Sequence, residues 1–443
     1  MHAAYVERLV NLLDPGGNVL LDASEDDLTD AIASGDLDRI RGIGGQWAGL
    51  AKVGQTVRMA RTIGRPMRFF LAKRTEGPCL VVAERIDEIR DWLEAEGLGD
   101  QFHPSYTRMV PAHYLTELQL IGCPDPSPKL TRYFTPARDA LPPDVAQCGR
   151  AYVAALADEV SRWLDWADAR HGADEPIGVL FSGGIDSGAL LLVVDHLLRE
   201  RGQSPARLKA FTLSIDGRGD DAKQAFDFLD AVDRTIYLEV IDAPAAAVSH
   251  ERAVAVTEDY KPLDVQAAAM GLALLEQIRR RYPDWRLLLD GDGGDENLKD
   301  YPIEANPELT IRSVLSNPLL YHEGWGVDAV KHSQTYSGGQ SRGHVRTAAP
   351  ARSLGFEGFS PYATPSVIAQ SEAIPFVALT DWSHERLYDL KGQIVRAGVE
   401  AVTGVTMPVF GKRRFQHGAG DGESLLPPDE ASYRRAFAKH FAL

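Results

Sequence analysis

Two short stretches hold most of the residues that could do chemistry. In Phe181-Ser182-Gly183-Gly184-Ile185-Asp186-Ser187-Gly188, paired glycines sit between serines and a single carboxylate. Paired glycines let backbone N–H groups curl around an anion, because no Cβ blocks the approach. Ser182 and Ser187 add hydroxyl donors. Asp186 would repel a phosphate unless a divalent cation lay between them, so the string implies Mg²⁺ as well as a phosphate ligand. A plain strand-to-helix turn with Ser187 as N-cap is the bland alternative; the full S-G-G-x-D-S string argues against it.

The second stretch, Leu289-Asp290-Gly291-Asp292-Gly293-Gly294-Asp295-Glu296 with Tyr301 after it, sets acidic residues among glycines, which packing alone does not explain. The calcium-loop spacing D-x-[DN]-x-[DN]-G fits Asp290 and Asp292, but Gly294 then stands at the third ligand position and no helix pair flanks it. A third stretch, Gly411-Lys412-Arg413-Arg414-Phe415-Gln416-His417-Gly418-Ala419-Gly420, is basic. By itself such a run is usually a solvated face. Glu258, Asp259, Lys261 and Asp264 (EDYKPLD) lie where a substrate could be contacted, and are read as a solvated loop.

These stretches need elements to hold them. IGVLF (177–181), LKAFTLSI (208–215), TIYLEVI (235–241) and RLLLD (286–290) read as apolar strands. Helices are expected at about 145–170, after the Gly-rich turn through Arg199, at about 221–231 and at about 265–281. Apolar strands alternating with helices predict a doubly wound parallel sheet, and such sheets bind ligands at strand carboxyl ends. Upstream, GNVLLDA, TVRMARTI, MRFFLAK and PCLVVAE are short β-prone runs, interrupted by a helix near Ile86–Glu96 that stops at Gly97. They predict a smaller α+β domain with an antiparallel sheet over 1–122. CPDPSPKL and Leu141-Pro142-Pro143 predict a proline-rich linker over 123–145, with the α/β domain occupying 146–443.

Composition limits the partners. Over 443 residues, 47 Lys and Arg face 63 Asp and Glu, a net charge of −16. Such a surface excludes general nucleic-acid or anionic-membrane binding. Cys79, Cys123 and Cys148 are too scattered for a disulfide framework, and the N-terminus has no uninterrupted apolar run, so a cytoplasmic chain without a signal peptide is expected. No histidine spacing suits zinc.

SGGIDS resembles the pyrophosphate-binding loop of the ATP pyrophosphatases, which cleave ATP to AMP and PPi, and departs from the Walker A pattern. The second stretch resembles the S-G-[DE]-G-x-D-E-L-F-G-G-Y motif of asparagine synthetases, with Asn297-Leu298-Lys299-Asp300 departing from L-F-G-G. The two together resemble that family's synthetase domain, related to β-lactam synthetases. The resemblance implies ATP and Mg²⁺ as cofactors, with Ser182, Gly183, Gly184, Asp186, Ser187 and Gly291 around the nucleotide. It further implies Asp186 and Asp295 as metal ligands, and Leu213 and Ser214 as backbone contacts to adenine. Asp292 takes the place of the carboxylate that assists the incoming amine, where β-lactam synthetases carry a tyrosine. The third stretch resembles a late K-x-x-x-Q-x-G-S-G pattern, which places Lys412 on the lysine that stabilises negative charge in the reaction. Ala419 replaces its serine. GFEGFSPY (355–362) echoes S-L-E-x-R-x-P-F, with Glu357 and Pro361 matching and Phe359 in place of the arginine.

The implied activity is an ATP-dependent, AMP-forming carbon–nitrogen ligase that joins a small-molecule or peptide carboxylate to an amine or ammonia. Alternatives are the same adenylation with another nucleophile (thiolation or intramolecular cyclisation), or a non-catalytic nucleotide-binding partner. IGRPMRFFLA and VPAHYL resemble segments of a class II glutamine amidotransferase domain. Its nucleophile is an N-terminal Cys; His2 stands at position 2 and the cysteines are internal, so the first domain is expected to be degenerate and without glutaminase activity. Its remaining roles are to stabilise the fold, to form a homodimer, or to shape a substrate pocket.

Overall fold

The computed structural model describes residues 4–121, 128–300, 310–316, 344–410, 425 and 429–443. The chain divides into two units, residues 1–135 with 438–443, and 136–437. Within the segment read as a linker, Lys129–Arg132 forms a strand that pairs with Tyr114–Leu118.

In the first unit the β-prone runs form strands at Val19–Leu21, Thr56–Arg61, Arg68–Ala72 and Cys79–Ala83. Side chains alternate between faces along a strand, and successive residues here enter different clusters. Phe69, Leu80 and Val82 pack with Val57, Met59 and Leu118 of a second sheet. Phe70, Val81 and Ala83 pack instead on Ile89 and Leu93 of the helix Ile86–Ala95. That helix ends at Gly97, in the left-handed region at φ 71°. The expected antiparallel sheet is corrected, among the described residues, to two four-stranded and two two-stranded sheets, and one four-stranded sheet contains a parallel pair, Arg8–Asn11 with Cys79–Ala83. The helices Glu25–Ser34 and Leu37–Gly42 escaped sequence reading. The first carries a Ser24/Asp27 capping box, which is a legible start signal.

The second unit holds a five-stranded sheet, wholly parallel. Across the sheet the strands run Leu238–Ala243, Leu208–Ile215, Ile177–Leu180, Leu287–Leu289 and Glu357–Phe359. The first strand in sequence therefore lies at the centre, between the second and the fourth. Thr235–Tyr237, read as the start of the third strand, is a 3-10 turn closed by Tyr237 N–H donating to the Arg234 carbonyl. The strand Glu357–Phe359 was not expected; three residues with a glycine in the middle carry too short a pattern to read. The helix Pro262–Arg281 covers one face, where Met270, Leu274 and Ile278 pack on Phe211, Leu213 and Leu288.

Two long helices, Val145–His171 and His384–Thr403, cross at glycines. A Cβ on Gly149 would stand 2.3 Å from the Ile394 carbonyl oxygen, and one on Gly398 2.2 Å from that of Gly149. Only glycine permits backbones to approach this closely.

Candidate active site

Both acidic-glycine signatures emerge at the carboxyl ends of adjacent strands, Ile177–Leu180 and Leu287–Leu289. Chain order reverses direction between these strands, and that switch point is where open α/β sheets leave a crevice for ligands.

On the first strand the backbone turns at Gly183, φ 71°, into the helix Ile185–Glu200, with Gly184 as N-cap. A Cβ on Gly183 would come within 2.8 Å of the Gln224 carbonyl oxygen. Ser182 and Ser187 face each other across the turn, hydroxyl to hydroxyl at 3.4 Å. Gly184 N–H donates to the Ser182 hydroxyl at 3.3 Å. The turn thus gathers backbone amides, two hydroxyls and a helix N-terminus, the elements of an anion cradle.

On the fourth strand, Asp290 is a scaffold. Its carboxylate accepts from Asp292 N–H at 3.0 Å and from the Ser360 hydroxyl at 2.9 Å, which ties the loop to the end of the neighbouring strand. Burial pushes the Asp290 carboxyl well above the ordinary range, and Asp292 raises it further. Gly294 has no room for a side chain: a Cβ would stand 2.3 Å from Asp186 Oδ1. A Cβ on Gly291 would stand 3.1 Å from Ser187 N. The glycines of one signature therefore abut the Asp and Ser of the other.

At this junction sits Lys391, which sequence reading missed. Its ammonium donates to Asp186 Oδ2 at 2.6 Å and to Asp295, and lies 3.4 Å from Asp300 Oδ2. Burial works against its charge, but Asp186, Asp295 and Asp300 outweigh it and hold the ammonium well above its usual range. Burial pushes the Asp186 carboxyl up to about 7, against the pull of Lys391. The legible signal was a lysine inside the apolar stripe Leu387, Leu390, Ile394, Val395 of a helix.

Lys391 thus meets three carboxylates, from both strand-end signatures and the segment after the second. Asp186 Oδ1 is buried with no hydrogen-bond partner among the described residues. Carboxylate oxygens are hard donors of the kind that suit a divalent cation such as Mg²⁺, and Asp186 and Asp295 are the residues that could hold one here. Asp292 also buries an unpartnered oxygen, Oδ2. Burial pushes its carboxyl up to about 6, while the Thr347 hydroxyl and the Arg346 charge draw it down.

The L-F-G-G departure has structural consequences. Asn297 donates to the Tyr362 carbonyl at 2.9 Å and to the Tyr152 hydroxyl at 3.2 Å. Lys299 forms a buried pair with Glu372 at 2.8 Å, and Asp300 joins Lys391. The GFEGFSPY segment delivers Ser360 to Asp290, and Tyr362, whose hydroxyl donates to the Asp186 carbonyl at 2.9 Å.

Leu213 turns into the core under the helix Pro262–Arg281, and the Ser214 hydroxyl donates to the Arg218 carbonyl at 3.1 Å. EDYKPLD is not the solvated loop expected: Glu258, Asp259 and Asp264 are all buried. Lys412, Tyr301, Ala419 and His2 lie outside the described residues.

A central strand ending in a glycine turn lies beside a strand ending in carboxylates, at one end of the parallel sheet. Residues 159–366 match the family described as asparagine synthase, and this stretch contains both strand-end signatures. It is also similar to amidase chry2 of Gibberella zeae, 31% identical over 153 residues, which cover 32% of this chain and 22% of that protein. Among the described residues no helix is long and apolar enough to cross a membrane.

Proposed function

We propose that this protein is an ATP-dependent, AMP-forming ligase that activates a carboxylate as its adenylate and passes the acyl group to an amine or ammonia. One observation carries the reading: Asp186 and Asp295, from the two strand ends that flank the crevice, converge on Lys391 beside the glycine cradle. In the first step a carboxylate oxygen attacks the α-phosphorus of ATP, and the bond to pyrophosphate breaks. The amides of 182–187 and the two serine hydroxyls hold the departing pyrophosphate, and Lys391 supplies a fixed cation beside it. Bound at Asp186 and Asp295, Mg²⁺ would neutralise phosphate charge. In the second step the amine attacks the acyl carbon and AMP leaves, with Asp292 facing the amine to take its proton. Lys412 is assigned to charge on the reacting centre by its motif.

The substrates are read as a small-molecule or peptide carboxylate and an amine, in the cytoplasm, with neither nucleic acid nor membrane as partner. The first unit is read as a degenerate amidotransferase domain without glutaminase activity; its Cys79 is buried, as is Cys148 of the second unit. A homodimer is one role left to it.

ATP–PPi exchange against a panel of carboxylic acids tests the ligase. Exchange with at least one acid, lost in Asp186→Asn and Asp295→Asn, is the expected result. MgATP binding without exchange for any acid would refute it. Exchange without amide from any amine would move the assignment to thiolation or intramolecular cyclisation. Release of glutamate from glutamine would overturn the reading of the first unit.

A further inference from the structure

Asp292 is placed by two elements from different parts of the chain. Its backbone is fixed from below, where its N–H is held by Asp290. Its side chain meets Arg346 and Thr347, which belong to the turn His344–Ala348. A single turn does not fix a side chain well unless something anchors it. Here the anchor is the helix Pro262–Arg281. Arg346 Nε donates to Asp264 Oδ1 at 3.1 Å, and Asp264, in the first turn of that helix, is 1% exposed. Further along the helix a Cβ on Gly271 would stand 3.0 Å from the Arg346 carbonyl oxygen, so turn and helix also meet backbone to backbone.

We infer that Asp264 and Arg346 are positioning residues for Asp292, and that they serve the amine half of the reaction rather than adenylation. The inference rests on the ligase reading, in which Asp292 faces the amine. A partly buried ion pair such as this one, with Arg346 25% and Asp264 2% exposed at the side chain, adds little net stability, and what it contributes is a fixed geometry. That geometry is spent on Asp292: the pair sets the Thr347 hydroxyl and the Arg346 charge against this carboxyl, while Oδ2 is buried with no hydrogen-bond partner among the described residues, the atom the proposal turns to the incoming amine. The phosphate cradle and Lys391 are built from other elements, the turn at 182–187 and the helix His384–Thr403. Disturbing Asp264 should therefore leave adenylation standing. It also gives the buried EDYKPLD segment a task.

The test separates the two halves in the full-length protein. ATP–PPi exchange with the acid that supports it reports adenylation. Hydroxylamine captures an acyl-adenylate as the hydroxamate with little need of a base. Ammonium chloride and a panel of primary amines must lose a proton before or during attack, and so depend on Asp292. For Asp264→Asn and Arg346→Ala, the expected outcome is exchange and hydroxamate within about twofold of wild type and amide formation at least about tenfold lower, with Arg346→Lys recovering most of the loss. Circular dichroism and thermal melts establish that each variant is folded.

Amide formation unchanged in both variants would overturn the inference. So would a parallel fall in all three activities, which is the mark of a structural role. A wild type that exchanges but forms amide with no amine would also overturn it, since Asp292 would then face no amine. A wild type that shows no exchange at all would instead remove the ligase reading on which the inference stands.

Discussion

Replacing Lys391 with alanine strips the ammonium from between Asp186, Asp295 and Asp300 and removes the cation these carboxylates share. The contributions are unequal. The Asp295 side chain is 40% exposed, so water and salt screen its bond; pairs of that kind are worth about 0.5 kcal/mol. Asp186 is 18% exposed and Lys391 only 3%, with 2.6 Å between charged atoms. Removing one partner of such a buried pair costs about 3–5 kcal/mol, and the partial exposure of Asp186 sets the expectation at the lower end, about 3 kcal/mol. In a unit of this size each kcal/mol moves the melting temperature by about 2 °C, so a fall of about 6 °C is expected. The assay is thermal unfolding followed by circular dichroism at neutral pH and low salt, first in EDTA and then across a MgCl₂ titration. With the lysine gone, the carboxylates should take up Mg²⁺ more readily, so added MgCl₂ should raise the melting temperature of the variant more than that of wild type. A variant that melts within about 1 °C of wild type in EDTA would show that the cluster is not a coupled ion site. A Mg²⁺ response equal to that of wild type would refute the argument that lysine and cation share the carboxylates.

Gly183→Ala forces a left-handed residue to carry a Cβ, costing about 1–2 kcal/mol, and drives that atom against the Gln224 backbone. MgATP should bind about tenfold more weakly by calorimetry, and unchanged affinity would remove the cradle from the phosphate site. Gly398→Ala places a Cβ 2.2 Å from the Gly149 carbonyl oxygen. Overpacking of this kind costs about 1–3 kcal/mol, and because this helix crossing carries Lys391, ATP–PPi exchange should fall with the melting temperature. Gly42→Ala, where a Cβ meets nothing, is the neutral control. Asp195 supplies a pH prediction. Burial would raise its carboxyl, but hydrogen bonds from Tyr237, Arg234 and Arg199 prevail and hold it below the usual range. A depressed folded value stabilises the protein above the unfolded pKa of about 3.9, and that stability is lost as pH falls through the folded value. Urea unfolding should therefore show Asp195→Asn less stable by about 2 kcal/mol at pH 7, with the gap to wild type narrowing below about pH 4. A gap that does not change with pH would refute the assignment.

The turn at Ser182–Ser187 and the acidic loop at Asp290–Glu296 were legible in the sequence because each signature is contiguous. Glycines, hydroxyls and carboxylates a few residues apart must share one turn, whatever the rest of the chain does. The apolar strands were legible for a similar reason, since a strand buried on both faces writes itself as an unbroken run, as in LKAFTLSI. Exposed or very short elements were not: Ile236, 84% exposed, sits in a turn rather than a strand, and Glu357–Phe359 owes its existence to the neighbour it pairs with.

Long-range placement belonged to the tertiary structure alone. Lys391 lies far along the chain from Asp186, on a helix whose sequence reports only an apolar stripe. It reaches the carboxylates because Gly149 and Gly398 let two helices touch backbone to backbone. Asp264 reads as one acid among several in a loop, and becomes a buried anchor for Arg346 only when the helix and the turn are packed together. Local sequence sets which groups a turn can present, because backbone sterics and side-chain chemistry act over a few residues. Which distant charge meets them depends on how the helices pack, and that is a property of the whole fold.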